Sequence, residues 1–149
     1  MTDERVVIER TAYIEAPPES VFAFLIDPKL MAQWFGSLPT LDPQPGGVFR
    51  MDFNNGHVAL GVFTEIKPHH RVVFTWGWES AVSALASMKP GCSIVEIDLE
   101  AQAGGTQLRL RHSGLPAEFA RIHGDEWSGY LRRLAAKFGP SHLFEHQRL

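Results

Sequence analysis

The sequence predicts an α+β fold: a curved antiparallel sheet of about six strands, two short helices and one long C-terminal helix. Three observations carry this. From Ala117 to Phe138, the residues Phe119, Ile122, Trp127, Tyr130, Leu131, Leu134 and Phe138 recur at spacings of three and four, one broad apolar stripe of a long helix. Before it, segments of alternating polarity follow one another with the period of half-buried strands. Between those segments stand two-residue turn signals, Asn55-Gly56 and Gly104-Gly105. A helix of ~20 residues is about 30 Å long, and one so rich in large side chains needs a sheet to lie on.

In chain order, Val6 to Ile14 alternates, with Val6, Ile8, Ala12 and Ile14 on one face and Glu9, Thr11 and Tyr13 on the other. Ala16-Pro17-Pro18-Glu19-Ser20 ends that strand and presets a short helix with Val21, Phe24 and Leu25 inward. Asp27 is a good N-cap with Pro28 at the first helical position, so a second short helix runs to about Trp34, with Leu30 and Trp34 inward. Leu38 to Gly47, with three prolines and two glycines, reads as a loop. A type I′ turn at Asn55-Gly56 pairs Asn54 with His57, Phe53 with Val58, Met51 with Leu60 and Phe49 with Val62, which puts those last six on the inner face and Arg50 outside. Val72, Phe74, Trp76 and Trp78 share a face of the next strand. Ala81 to Met88 reads as a short helix or a flap, closed by Lys89-Pro90-Gly91. Gly104-Gly105 as a second turn pairs Ala101 with Leu108, Leu99 with Leu110 and Ile97 with His112. Outside, it sets Glu100 against Arg109 and Asp98 against Arg111. Pro116 suits the first turn of the long helix, and Gly139-Pro140 ends it. Residues 1–140 thus form a single domain, followed by a polar tail, 141–149.

Composition excludes several classes. At 149 residues the chain has one domain's length and needs no metal or disulfide staple. A net charge of −3 and a pI near 6.1 argue against nucleic acid as a partner. Apolar runs fall short of a membrane span, and the first residues lack a signal peptide's apolar region, so a cytoplasmic protein is expected. The seven histidines and single cysteine form no metal site: His69-His70 point apart at a turn, and His142 and His146 lack a third ligand. Cys92 has no local base and reads as a semi-buried thiol. Asp42, Asp52 and Asp125 make no acid–base pair, and Gly46-Gly47 is too short for a phosphate loop. No cofactor and no catalytic residue is indicated. His112 is the exception to be weighed, since its register turns a titratable ring inward. It is either a core or strand-end histidine hydrogen-bonded to backbone, or a polar handle in an apolar cavity.

The order of elements, together with Ala16-Pro17-Pro18-Glu19-Ser20-Val21-Phe22, Asp27-Pro28 before Trp34-Phe35, Pro45-Gly46-Gly47, Phe74-Thr75-Trp76, Gly105-Thr106-Gln107-Leu108, His112-Ser113-Gly114-Leu115-Pro116, and Trp127 with Leu131 and Leu134, resembles the START and birch-pollen-allergen superfamily, SRPBCC. Within it, the chain is similar to the family of the C-terminal domain of the activator of heat-shock protein 90 ATPase. The resemblance implies a helix-grip fold with a pocket between sheet and helix, and a curved sheet gripped by one helix cannot easily fill its own interior. Trp34, Phe49, Met51, Leu60, Phe74, Trp76, Trp127 and Leu131 are then the expected walls, with His112 and Tyr130 as polar contacts. The expected ligand is a small apolar or aromatic molecule bound by a monomer or homodimer. Two other functions are implied by the resemblance. One is a chaperone-interaction module in a stress response, although the eukaryotic activator carries an additional N-terminal domain for which this chain has no room. The other is an enzyme of the cyclase, hydrolase or dehydratase sort, which needs a cavity acid or base.

Overall fold

Alternation from Arg5 to Ile14 does build the first strand, β1 (Arg5–Ile14), in the computed structural model, which describes residues 5–35, 38–79 and 88–139. Pro18 at the first turn opens α1 (Pro18–Ile26). Asp27 caps α2 (Pro28–Met31), its carboxylate accepting from the Lys29 and Leu30 amides at 2.8 and 3.2 Å. Seven strands and one helix complete the described chain: β2 (Leu38–Leu41), β3 (Val48–Asp52), β4 (Val58–Lys67), β5 (Arg71–Trp76), β6 (Trp78–Glu79), β7 (Ser93–Gln102), β8 (Gly105–Pro116) and α3 (Ala117–Ala136). The strands pair antiparallel in the order β1-β8-β7-β5-β4-β3-β2, with β6 on β4. The fold is the expected curved sheet and long helix, with two strands more. β2 arises where the prolines suggested a loop, because an edge strand tolerates Pro39. Residues 81–87 of the expected flap, and the tail with His142 and His146, lie outside the described residues.

The two hairpins depart from expectation in opposite ways. Asp52 pairs with Val58, leaving Phe53 to His57 as a loop, with positive φ at Asn54 and Gly56 rather than at Asn55 and Gly56. Side chains hold that loop: Asp52 accepts from the Asn54 amide at 2.8 Å and Asn55 from the His57 amide at 3.0 Å. The register moves by one residue, so Phe49 meets Gly61 and Met51 meets Ala59. One residue is enough to turn a strand over. Phe49 and Met51 stay inside, but Ala59 and Phe63 replace Leu60 and Val62 there, and Val62 is 40% exposed. The second turn is Ala103-Gly104, with φ of +51° and +82°, which is type I′. Gly105 is spent elsewhere: an added Cβ would stand 2.5 Å from the Ile14 carbonyl and 2.6 Å from the Tyr13 hydroxyl of β1. This shift is by two, so Leu99 meets Leu108 and Ile97 meets Leu110 with both faces unchanged. Glu100 and Arg109 are exposed, as expected. The outer carboxylates converge instead on Arg71, 2.9 Å from Asp98, 3.0 Å from Glu65 and 3.1 Å from Glu96.

Helix α3 lies across β1 and β8. Its buried side is His123, Gly124, Trp127, Leu131, Leu134 and Ala135, whereas Ile122 is 58% exposed. At 100° per residue, position 122 lies about 140° from Trp127, while 123 falls one turn below it. Gly124 permits close approach to β1, where a Cβ would meet Arg10 Nη2 at 2.5 Å. Arg10 Nε donates to Ser128 Oγ at 2.9 Å and fastens the same crossing. At the other end, Phe24 of α1 packs on Phe138. Within α1 and α2, Phe22 and Met31 are buried, and Phe24 and Leu30 sit half-buried at the rim.

Candidate functional site

The concave side of the sheet is filled by rings, and Phe35 lies at their centre. Just beyond α2, it stacks on Trp127 at 5.1 Å, Trp34 at 5.1 Å and Trp76 at 5.8 Å, and meets Tyr130 edge-on at 4.9 Å. A second stack lies deeper, Phe49 on Phe74 at 3.9 Å. Such contacts add about 0.5–1.5 kcal/mol per pair beyond burial. Of the expected walls, Trp34, Phe49, Met51, Phe74, Trp76, Trp127 and Leu131 are buried in this one cluster. Tyr130 is half-buried at its edge. Leu60 is not in it, because the one-residue register change puts it on the opposite face, opposite Arg50. Arg50 is outward as expected and lies 3.7 Å from Glu79.

Two histidines stand among the rings. His112 is fully buried; Trp127 Nε1 donates to its Nδ1 at 3.0 Å, and its Nε2 lies 2.8 Å from Ser93 Oγ. An indole N–H only donates, so Nδ1 is the acceptor and Nε2 carries the proton. Ser93 passes its own proton on to the Trp76 carbonyl at 2.8 Å. Burial first, and His123 second, pull the His112 pKa down to about 3. His123 repeats the pattern, with Nδ1 donating to the Phe119 carbonyl at 2.9 Å and Nε2 accepting from Trp78 at 3.3 Å. Burial lowers its pKa as well, against the raising effect of the Phe119 carbonyl. A Ser–His contact suggests a nucleophile and its base, but the polarity is reversed here. The ring has no free lone pair with which to take the Ser93 proton, and Ser93 is itself buried.

Toward solvent the rings open on a cleft of about 320 Å³ between the end of α2, the β3–β4 loop and α3. Phe35, Phe53 and Tyr130 form its apolar part, and Gln33, Asn55 and Arg133 its polar rim. The Arg133 guanidinium lies 5.1 Å from the Tyr130 ring centroid and its Nε donates to the Trp34 carbonyl at 3.3 Å. No carboxylate among the described residues pairs with it. Burial, then Glu126, push the Tyr130 pKa up to about 12, against the opposing pull of Arg133, so its hydroxyl stays protonated. Elsewhere, Cys92 is exposed rather than semi-buried, and partial desolvation raises its thiol pKa, the reverse of what a nucleophile needs. Among the described residues no three His, Cys, Asp or Glu side chains are placed to hold a metal. None of their helices is long and apolar enough to cross a membrane.

Phe35, His123, Ser93 and Arg133 did not stand out in the sequence as parts of a site. For His123 the signal was available, since it lies four residues from both Phe119 and Trp127. Phe35 follows a helix too short to show a period, and Ser93 is recognisable only once β7 is paired with β8.

The chain has relatives among known proteins. It is 40% identical to an AHSA1-like protein from Rhizobium etli, with a TM-score of 0.70 over 91% of this chain and 84% of that one. A protein from Chromobacterium violaceum is 26% identical, with a TM-score of 0.76 over 91% and 98% of the two chains. The Aha1 dimer of Colwellia psychrerythraea, at 20% identity and a TM-score of 0.73 over 88% and 94%, shares the fold. An uncharacterized protein of Schizosaccharomyces pombe is 26% identical over 127 residues, 84% of this chain but 35% of that protein, so the chain spans about a third of this curated relative. The model of the family described as Activator of Hsp90 ATPase homolog 1-like protein matches residues 15–139, and the chain belongs to that family.

Proposed function

We propose that the chain binds a small, mostly apolar or aromatic molecule between the sheet and α3, entering by the cleft at Phe35 and Tyr130. The observation that supports this most is the continuity of the cleft with the ring cluster, since Phe35 and Trp34 belong to both. At about 320 Å³, the cleft is at the small end of ligand pockets; it is open to solvent and its exposed surface is more polar than apolar, so the apolar contacts would come from the edges of Phe35, Phe53 and Tyr130. Arg133 at the rim suits a carboxylate or another anionic acceptor on the ligand. The test is thermal unfolding with 2-naphthoate as the probe. A ligand at 100 times its Kd adds about 2.7 kcal/mol, which for a domain of this size raises Tm by roughly 5–10 °C. Arg133→Met should weaken the effect, and no shift with naphthoate or with neutral naphthalenes would refute the reading.

Membership of a family described by an activator of Hsp90 ATPase supports a second reading, a chaperone-interaction module. It predicts stabilisation by the chaperone and none by small aromatics. An enzyme that uses His112 as acid or base is disfavoured by the same geometry that locks that ring, both of its nitrogens being engaged in the core. The Colwellia relative is a dimer; light scattering would show whether this chain is a monomer or a homodimer.

A further inference from the structure

The two-residue strand β6 is tied to helix α3 by a side-chain hydrogen bond, Trp78 Nε1 donating to His123 Nε2 at 3.3 Å. The other ring nitrogen of His123, Nδ1, donates to the Phe119 carbonyl of the same helix at 2.9 Å, so the imidazole is anchored on α3 and Trp78 is the partner that can leave. A neutral imidazole has one lone pair to offer in its plane, and here it is the one on Nε2. A proton added to it from solvent makes both ring nitrogens donors, and two N–H groups then face each other across 3.3 Å. The bond to Phe119 survives that protonation, whereas the indole bond does not. We propose that the His123–Trp78 contact is an acid-sensitive joint: one proton on His123 releases Trp78 and β6 from α3, while the His112–Trp127 joint between β8 and α3 stays closed. The joint needs no bound molecule and stands apart from the ligand reading.

The surroundings of the two joints set the order in which they open. His112 is fully buried on β8, inside a ladder with β7 that runs from Ile94 to Gln102, and a proton reaches it only if that ladder parts. Strand β6 has two ladder pairs, Trp78 with Ala59 and Glu79 with Val58, and Trp78 keeps 9% of its surface in solvent. So short a strand opens locally at far less cost than the whole domain. Burial lowers the pKa of both rings; the Phe119 carbonyl opposes it at His123, whereas His123 adds to it at His112, which falls to about 3. The other titratable and charged groups around the joint are His57 of the β3–β4 loop, 6.1 Å from the Trp78 ring, Glu126 of α3, which feels His57, and Arg10 of β1 against Gly124. Arg10 is held by Ser128 and the Glu9 carbonyl, and Glu79 beside Trp78 lies 3.7 Å from Arg50. Of all these groups His112 is the one that couples to His123, 5.7 Å away between ring centroids, and it is neutral while His123 takes its proton. Release parts Trp78 from Trp76 and Phe53, at 5.4 and 5.7 Å, and uncovers one end of the ring cluster.

The test follows the four indole N–H signals and the histidine ring signals of the full chain by NMR from pH 7 to pH 4. The Trp78 indole should lose its hydrogen bond at the midpoint at which the His123 ring titrates, its exchange with water quickening about tenfold, the equivalent of one net hydrogen bond. The Trp127 indole should not move over that range. Trp78→Phe assigns the signal. His123→Gln, whose amide oxygen accepts from Trp78 without titrating, should leave the Trp78 signal independent of pH, and His57→Gln should leave the transition in place. Should His123→Gln not fold, the coincidence of the two wild-type midpoints and the unmoved Trp127 signal decide. The inference is overturned by a Trp78 signal that stays put while His123 takes its proton, or by a Trp127 signal that moves first. A transition that survives His123→Gln or vanishes in His57→Gln overturns it equally, as does a chain that unfolds before His123 is protonated.

Discussion

Removing the imidazole of His112 should flatten the acid side of the stability profile. The native ring titrates at about 3 because burial penalises its charged form, whereas the unfolded ring titrates near 6.5. Above pH 6.5 neither state is protonated there, and the full stability is present. As the pH falls below 6.5, the unfolded chain takes up a proton that the native core refuses. Stability is lost at about 1.4 kcal/mol per pH unit until the folded pKa is reached. At pH 4 the loss from this one residue is about 3 kcal/mol, a large share of the 5–15 kcal/mol typical of a domain. The variant to compare is His112→Asn, whose amide oxygen can still accept from Trp127 and which does not titrate. Urea unfolding followed by tryptophan fluorescence at pH 7, 6, 5 and 4 gives both curves. The asparagine variant should be the weaker protein at pH 7, and its deficit should shrink by about 3 kcal/mol by pH 4. Carboxylates act in both proteins and cancel, and the difference reads His112 together with its coupling to His123. A deficit that stays constant with pH would refute the buried neutral ring.

Three other substitutions probe the frame. Trp127→Phe keeps most of the packing but leaves His112 Nδ1 without its donor, a loss of about 1–3 kcal/mol by chemical denaturation, while Trp127→Ala should lose about 3–5 kcal/mol. Gly61→Ala should be much worse than Gly56→Ala: the added Cβ at 61 runs into the backbone carbonyl of Thr75, whereas Gly56 has open space and only its φ of +91° to defend, about 1 kcal/mol. Arg71→Ala should lower the melting temperature at low ionic strength by an amount that shrinks in 1 M salt, because its three carboxylate partners are half-exposed and screened.

The fold was legible wherever a period persisted. Ten alternating residues in β1 and twenty helical ones in α3 left little choice, and Asp27-Pro28 announced its helix through one cap. Register was harder because glycine is ambiguous. Gly104-Gly105 reads as a turn, yet only one of the two glycines turns the chain, while the other lies under Tyr13 for lack of space. Asn55-Gly56 misled for a different reason: Asp52 and Asn55 use their side chains to stabilise a longer loop, which local sequence does not distinguish from a two-residue one. The site was half legible. Aromatic residues on strands and on the long helix were traceable by periodicity, and seven of them do meet Phe35 or one another. Phe35 itself comes from an irregular segment, and the partners of His112 and His123 come from strands that only tertiary pairing brings near.

The pairing of β1 with β8 also affects how the chain is made. Ile8 lies opposite His112, 104 residues later, and β8 is the strand on which β1 closes the described sheet. A ribosome adding ~5–20 residues per second needs about 5–20 s to cover that distance. For that time β1 exists without its ladder, while the meanders β3–β4–β5 and β7–β8 need only neighbouring sequence to form. Closure of the sheet, and with it the seat of α3 on Arg10 and Ile8, is therefore expected to come last. Proteolysis of stalled nascent chains would read the order directly: a β1 protected before residue 105 has been made would contradict it, and one protected only after Pro116 has left the exit tunnel would agree.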